Sequence, residues 1–248
     1  MTQHERQLEV ECFILACRLL MQSGAETYRA EDTLLRMAAS QGYTEAESFV
    51  TPTGILFSTG HGHPIKIAQI KTRSIHLDKI SRINEVSRKL SSHQITVEEA
   101  YRALKEIDRA CYFLNQVWQI LFSALGCGGF VILFQGTFID IPSAAIAGGL
   151  GYTTLVLFNR MTKAKLFAEF AAAIVVGLVA SFAVNTGIGL EANKIIIGAV
   201  MPLVPGVAIA NAVRDLMAGH LVSGLSKGAE ACLTALAIGS GIAVSLSV

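Results

Sequence analysis

Two prolines, a glycine and a short polar cluster interrupt an apolar run in the C-terminal half of the chain. The run covers residues 195–212 and contains Met201-Pro202-Leu203-Val204-Pro205-Gly206, with Asn211-Ala212-Val213-Arg214-Asp215 at its end. Proline removes a backbone donor and clashes with the preceding turn, so Pro202, Pro205 and Gly206 are expected to break a helix here. In hydrocarbon each freed carbonyl costs several kcal/mol unless protein, water or a solute satisfies it. An arginine beside such a break can hold a carboxylate through two parallel hydrogen bonds. Discontinuous helices with nearby charges are how transporters hold a solute. Duller readings remain open: a structural kink at the prolines, an interhelical hydrogen bond from Asn211, and an interfacial pair at Arg214 and Asp215.

Three further residues could carry protons. Glu169 and Glu230 lie just inside apolar spans, where carboxylates are expensive, although solvation at a helix end is an equal alternative. His220 titrates near neutral pH but also reads as an interfacial histidine. Elsewhere the chemistry is thin. His61-Gly62-His63 has two imidazoles without the further ligands a metal site needs, so it reads as a turn. No nucleophile elbow and no Walker motif appears, and nothing calls for a cofactor. Glu26, Arg29, Glu31 and Asp32 form a charged helical face, most simply a solvated one. Gly126-Cys127-Gly128-Gly129 and Ala147-Gly148-Gly149-Leu150-Gly151 lie in apolar spans and read as helix-packing glycines.

The elements that must position these residues divide sharply by composition. Residues 1–116 carry 28 of the 39 charged side chains, and residues 117–248 carry the other 11. The expected architecture is a small cytoplasmic α+β domain (1–112) followed by an α-helical integral membrane domain (113–248). A net charge of +1, with no basic stretch interleaved with aromatics, gives no reason to expect nucleic acid. The five cysteines are widely spaced without a CxxC pair, which favours buried free thiols. In the first domain, helices are expected over 5–22, 26–40, 77–91 and 97–109. Gly24 and Gly42 would stop the first two, and Thr96 with Glu99 would cap the last. Short strands fall over 48–53, 54–59 and 64–70.

Five apolar spans follow, near 116–134, 142–159, 166–187, 194–212 and 229–248, each close to the ~20 residues that cross a bilayer. Between the fourth and fifth, residues 216–225 read as an apolar loop that dips into or lies on the membrane. Arg160, Lys163, Lys165, Arg214 and Lys227 fall on one side, and Lys194 is the one basic residue on the other. That asymmetry, with no signal peptide after Met1, places the N-terminus in the cytoplasm and the C-terminus outside.

The run Pro202-Leu203-Val204-Pro205-Gly206, then Asn211-Ala212-Val213-Arg214-Asp215-Leu216 and Gly219-His220-Leu221-Val222-Ser223-Gly224-Leu225, resembles the threonine/serine exporter family. The likeness is to its YjjP-like, N-terminal-half members. Ser23-Gly24-Ala25-Glu26, the strands between Thr51 and Thr59 and the order of domains fit the same family. The resemblance implies a subunit of a secondary exporter in the bacterial inner membrane. Its substrates would be small carboxylate-bearing metabolites, threonine and serine or dicarboxylates such as succinate. It also implies a separate YjjB-like membrane subunit as partner, because the chain stops after one membrane module; a homo-oligomer is the other arrangement. Substrate would meet Pro202, Pro205, Gly206, Asn211, Arg214 and Asp215. The rivals are a membrane-anchored enzyme with a catalytic N-terminal domain, and a structural or regulatory membrane subunit that transports nothing.

Overall fold

The computed structural model describes residues 3–60, 62–110, 115–162 and 164–247. His61, Cys111, Lys163, Val248 and the boundary expected between 112 and 113 lie outside the described residues. The contacts divide the chain into two compact units, Met1–Cys111 with Val207–Ala229, and Tyr112–Gly206 with Glu230–Val248.

The first unit begins with α1 (Gln3–Gln22) and α2 (Thr27–Ser40), followed by β1 (Glu47–Val50), β2 (Gly54–Ser58) and β3 (Lys66–Gln69). Then come α3 (Leu77–Ser91) and α4 (Val97–Arg109). Glycine ends the first two helices for a backbone reason. Gly24 (φ +85°) and Gly42 (φ +93°) occupy the left-handed region, and the next residue returns a hydrogen bond to the last turn, Ala25 N to Leu20 O and Tyr43 N to Ala38 O. Thr96 and Glu99 close the expected reciprocal cap on α4. The antiparallel sheet has the order β1-β2-β3, with Val50 opposite Ile55 and Phe57 opposite Lys66. Alternation sends Ile55 and Phe57 inward, where they join Phe13, Leu34, Met37, Ile83 and Leu104 in one core. Cys12 and Cys17 are buried in that core, as free thiols.

The same unit takes in α9 (Gly206–Met217) from Val207 onward and the first residues of α10 (Leu221–Leu246). Residues 221–225 are thus helical, not the expected apolar loop. Only the turn at Gly219 (φ +85°) separates α9 from α10. The helical position 224 is a glycine because a Cβ there would come within 2.6 Å of Leu216 Cγ, so the two helices approach closely at that point.

The second unit contains α5 (Gln116–Leu133), α6 (Asp140–Thr162), α7 (Lys165–Asn185), α8 (Ala192–Val200), a 3-10 turn over Met201–Leu203 and the remainder of α10. Among the described residues, four helices are long and apolar enough to cross a membrane: α5, α6, α7 and α10. A fifth span is counted if α8 and α9, a pair bent at the break, are taken as one. Small residues allow the close packing. A Cβ on Gly148 would overlap Cys127 Sγ, one on Gly151 would approach Val176, and one on Gly177 would overlap Ser245 Oγ. Gly126 and Gly129 face open space and are not packing glycines within this chain. Asp140, fully buried, accepts hydrogen bonds from Thr137 Oγ1 (2.6 Å), Leu190 N (2.7 Å) and Glu191 N (3.3 Å), which ties the start of α6 to the turn before α8.

Candidate functional site

The expected break is present. Met201–Leu203 winds as a 3-10 turn, Val204 is extended (ψ 128°), and a new helix starts at Gly206 directly after Pro205. Gly206 N bonds Val204 O at 2.9 Å, and nothing lies within 4 Å of where a Gly206 Cβ would project. Two short helices with open ends replace one continuous helix, because neither proline can donate to the preceding turn.

Asn211, Arg214 and Asp215 share one face of α9, as positions three and four apart must. All three turn to the segment that starts α2. That helix has Glu26 at its N-cap, with no side-chain cap of its own. Asp215 supplies one from a distance: its Oδ1 accepts from Thr27 N (2.8 Å) and its Oδ2 from Thr27 Oγ1 (2.9 Å). A carboxylate is favoured there by the exposed N–H groups and the positive end of the helix dipole. Lys227 Nζ completes the cluster, 2.8 Å from Asp215 Oδ2, 3.1 Å from Thr27 Oγ1 and 3.2 Å from Ala25 O. Asp215 and Thr27 are fully buried, and the Lys227 side chain is 13% exposed.

Around this buried centre the partners are more open. Asn211 Nδ2 donates to Gly24 O at 2.9 Å. Arg214 donates through one terminal nitrogen to Glu26 Oε1 at 2.6 Å, and Arg29 approaches Glu26 Oε2 at 3.6 Å. The Arg214 side chain remains 60% exposed, so most of its five donors still face outward. His220 Nδ1 lies 3.4 Å from Glu31 Oε2, and Ser223 Oγ donates to Val50 O at 3.3 Å. The expected solvated face of α2 is therefore only partly solvated: Glu26 is 8% exposed because Arg214 covers it.

Asn211, Arg214, Asp215 and His220 are thus brought together around α2. Glu169 and Glu230 belong to the other unit, where Lys165 joins them, at 3.9 Å from Glu169 and 3.2 Å from Glu230. Gly24, Glu26, Thr27 and Lys227 complete the α2 cluster and were not among the expected site residues. The sequence carried a signal for Lys227 alone: after the adjacent Arg214 it is the nearest lysine or arginine to Asp215, twelve residues on across a tight turn.

The chain matches the model of the family described as "Putative threonine/serine exporter" over residues 11–248. It is 24% identical to "Probable succinate transporter subunit YjjP" of Escherichia coli, over 99% of this chain and 97% of that protein. It is also 24% identical to "Pheromone-regulated membrane protein 10" of Yarrowia lipolytica, over 95% of this chain but only 20% of that longer protein. An uncharacterized protein of Haemophilus influenzae is 21% identical over 88% of this chain and 85% of its own length. No solved structure matches. With its apolar helices this is a multi-pass membrane protein of a transporter family. The chain belongs to the threonine/serine exporter family.

Proposed function

We propose that the protein is one subunit of a secondary exporter that carries small carboxylate-bearing metabolites out of a bacterial cytoplasm together with a YjjB-like membrane subunit. In this reading residues 1–112 form a cytoplasmic α+β domain and residues 113–248 form a five-span domain in the inner membrane, with the C-terminus outside. The observation that carries it is Arg214, which stands on the helix that starts at the Pro205–Gly206 break and keeps most of its guanidinium donors open. Glu26, a carboxylate, already occupies one of them, which supports the reading that the position suits such a group. Substrate would replace Glu26 on Arg214. Asn211, on the same face of α9 as Arg214, would add a further contact. Asp215 has a different part here: both its oxygens are used inside the fold, so it fixes the direction in which Arg214 points.

The name of the Escherichia coli relative contains both a dicarboxylate and the word subunit, which supports the substrate class and the need for a partner. The test is uptake into proteoliposomes made from this chain with and without a YjjB-like protein, using labelled succinate and labelled threonine. The reading expects uptake of at least one of them, and only with both proteins present. Absence of transport of either solute by the pair would leave a non-transporting subunit or an anchored enzyme in its place.

A further inference from the structure

The seam between α7 and α10 holds a carboxylate that the substrate site does not use. Glu169 is one turn into α7 and 5% exposed. Its neighbours across the seam are Glu230 and Thr234, one turn apart on α10. Further along, the seam is sealed: a Cβ on Gly241 would come within 2.9 Å of the Ala173 Cβ, and Ile238 is buried among Ala172, Ala173, Val200 and Leu203. Glu169 therefore lies where a polar end, open to water through Lys165 and Glu230 (58% and 41% exposed), meets a dry interior.

Two buried atoms at that point are poorly paired. Glu169 Oε2 and Thr234 Oγ1 are both shielded from solvent and neither makes a well-formed hydrogen bond, although Thr234 stands close enough on α10 to act on the carboxyl. A buried ionised carboxylate with a poorly paired oxygen is expensive. Lys165 offsets that only weakly, because its ammonium is nearer to Glu230 (3.2 Å) than to Glu169 (3.9 Å). Among the described residues, the charged groups acting on Glu169 are Lys165 from its own helix and Glu230 from α10. One proton resolves the imbalance. Bound to Oε2, it removes the charge and lets the carboxyl donate to Thr234 Oγ1, while Lys165 settles on Glu230. Lost to water, it leaves a carboxylate that draws Lys165 back.

We infer that Glu169, with Thr234 as its hydrogen-bond acceptor and Lys165 as its alternating counter-ion, is a proton-carrying site in the membrane unit. As the site that couples export to a proton gradient, it rests on the exporter reading; as a protonatable buried carboxyl, it does not.

The experiment has two arms for that reason. In the first, native membranes containing the full chain with its YjjB-like partner are treated with dicyclohexylcarbodiimide. A protonated carboxyl adds across this reagent to give a stable N-acylurea with no leaving group. Peptide mass analysis should find the adduct on Glu169, falling as pH is raised and extending to higher pH in Lys165→Gln, where the competing cation is gone. A purely structural carboxylate would show no such pH profile. In the second, proteoliposomes containing both proteins are loaded with labelled succinate or threonine and given a pH gradient. Glu169→Gln should lose gradient-driven movement, and the substrate exchange it retains should no longer vary with pH. Glu169→Asp, which keeps the acid on a shorter arm, should regain part of the gradient response. No adduct on Glu169 at any pH, or a full pH response in Glu169→Gln, overturns the site. Labelling of Glu169 without any transport by the wild-type pair would sustain the proton site and remove the exporter reading instead.

Discussion

Asp215 closes the N-terminus of α2 by accepting hydrogen bonds from both the backbone N–H and the hydroxyl of Thr27, 188 residues earlier in the chain. One aspartate on α9 therefore completes a helix that has no side-chain cap of its own, and in doing so fixes the face on which Asn211 and Arg214 stand. A burial this complete is tolerated because every oxygen of Asp215 is satisfied and Lys227 neutralises it.

The first prediction follows from that closure. Asp215→Ala leaves Lys227 and the Thr27 N–H buried without their partner, and should destabilise the first unit by about 3–5 kcal/mol. Thr27→Val removes only the hydroxyl's part, about 1–3 kcal/mol. Thermal unfolding of the detergent-solubilised protein should rank them in that order, with Thr27→Ser near wild type. Equal stability in all three variants would show that the cluster contributes nothing.

Glu26 and Arg214 behave differently because the guanidinium is largely exposed. Such pairs contribute about 0–1 kcal/mol to stability, so Glu26→Gln should unfold near the wild-type temperature. It should nevertheless change transport, since it removes the carboxylate that competes for Arg214: apparent affinity for succinate or threonine should rise. Unchanged affinity would mean that substrate does not replace Glu26.

Packing in the second unit gives a prediction that needs no substrate. A Cβ on Gly177 meets Ser245, whereas one on Gly126 meets nothing within 4 Å. Gly177→Val should force α7 and α10 apart, an overpacking cost of typically 1–3 kcal/mol or more, and should lower membrane abundance. Gly126→Ala should not. Immunoblots of membrane fractions decide between the two.

The first unit should also lose stability in alkali. Burial, then the hydrogen bond to Glu9, lifts the Tyr43 phenol from 10.0 to about 12. Burial, then the charge of Glu98, lifts the Cys12 thiol from 9.0 to about 12. Raised acids favour the folded state while protonated, so their contribution is complete below pH 9 and is lost as pH rises towards 12. Tyr43→Phe should flatten the part of that loss between pH 10 and 12. A melting temperature with the same alkaline slope in both proteins would contradict the assignment.

Much of this architecture was legible because local chemistry dictated it. The boundaries of α3 and α4 follow from amphipathic periodicity and the Thr96–Glu99 cap, and the ends of α1 and α2 from Gly24 and Gly42. The break at Pro202 and Pro205 is likewise a local consequence of proline. What escaped is tertiary. Residues 221–225 carry a glycine that lowers helix propensity, and only the close approach of Leu216 explains why that helical position is a glycine. The α2 face reads as solvated until α9 is packed on it, because no pattern within α2 reveals a partner 188 residues away. Lys227 looks like a topological charge for the same reason. Its aspartate lies on another helix, beyond the turn at Gly219.

The break itself is tested by healing it. Pro205→Ala restores a donor at the start of α9 and should lower the maximal rate of transport more than the apparent affinity, since the freed backbone groups would then pair within the helix. A wild-type rate at normal abundance would make the prolines structural kinks only.

The central claim is that Arg214 holds a substrate carboxylate through two parallel hydrogen bonds, and Arg214→Lys tests it most directly. Lysine keeps the charge but cannot form the paired contact. Loss of a charge-assisted contact worth about 1.5–3 kcal/mol corresponds to roughly a ten- to hundredfold fall in apparent affinity. Export kinetics of succinate and threonine, measured for this variant with the partner subunit and normalised to membrane abundance, should show that fall. Wild-type kinetics at normal abundance would mean that Arg214 serves only membrane orientation, and would remove it from the site.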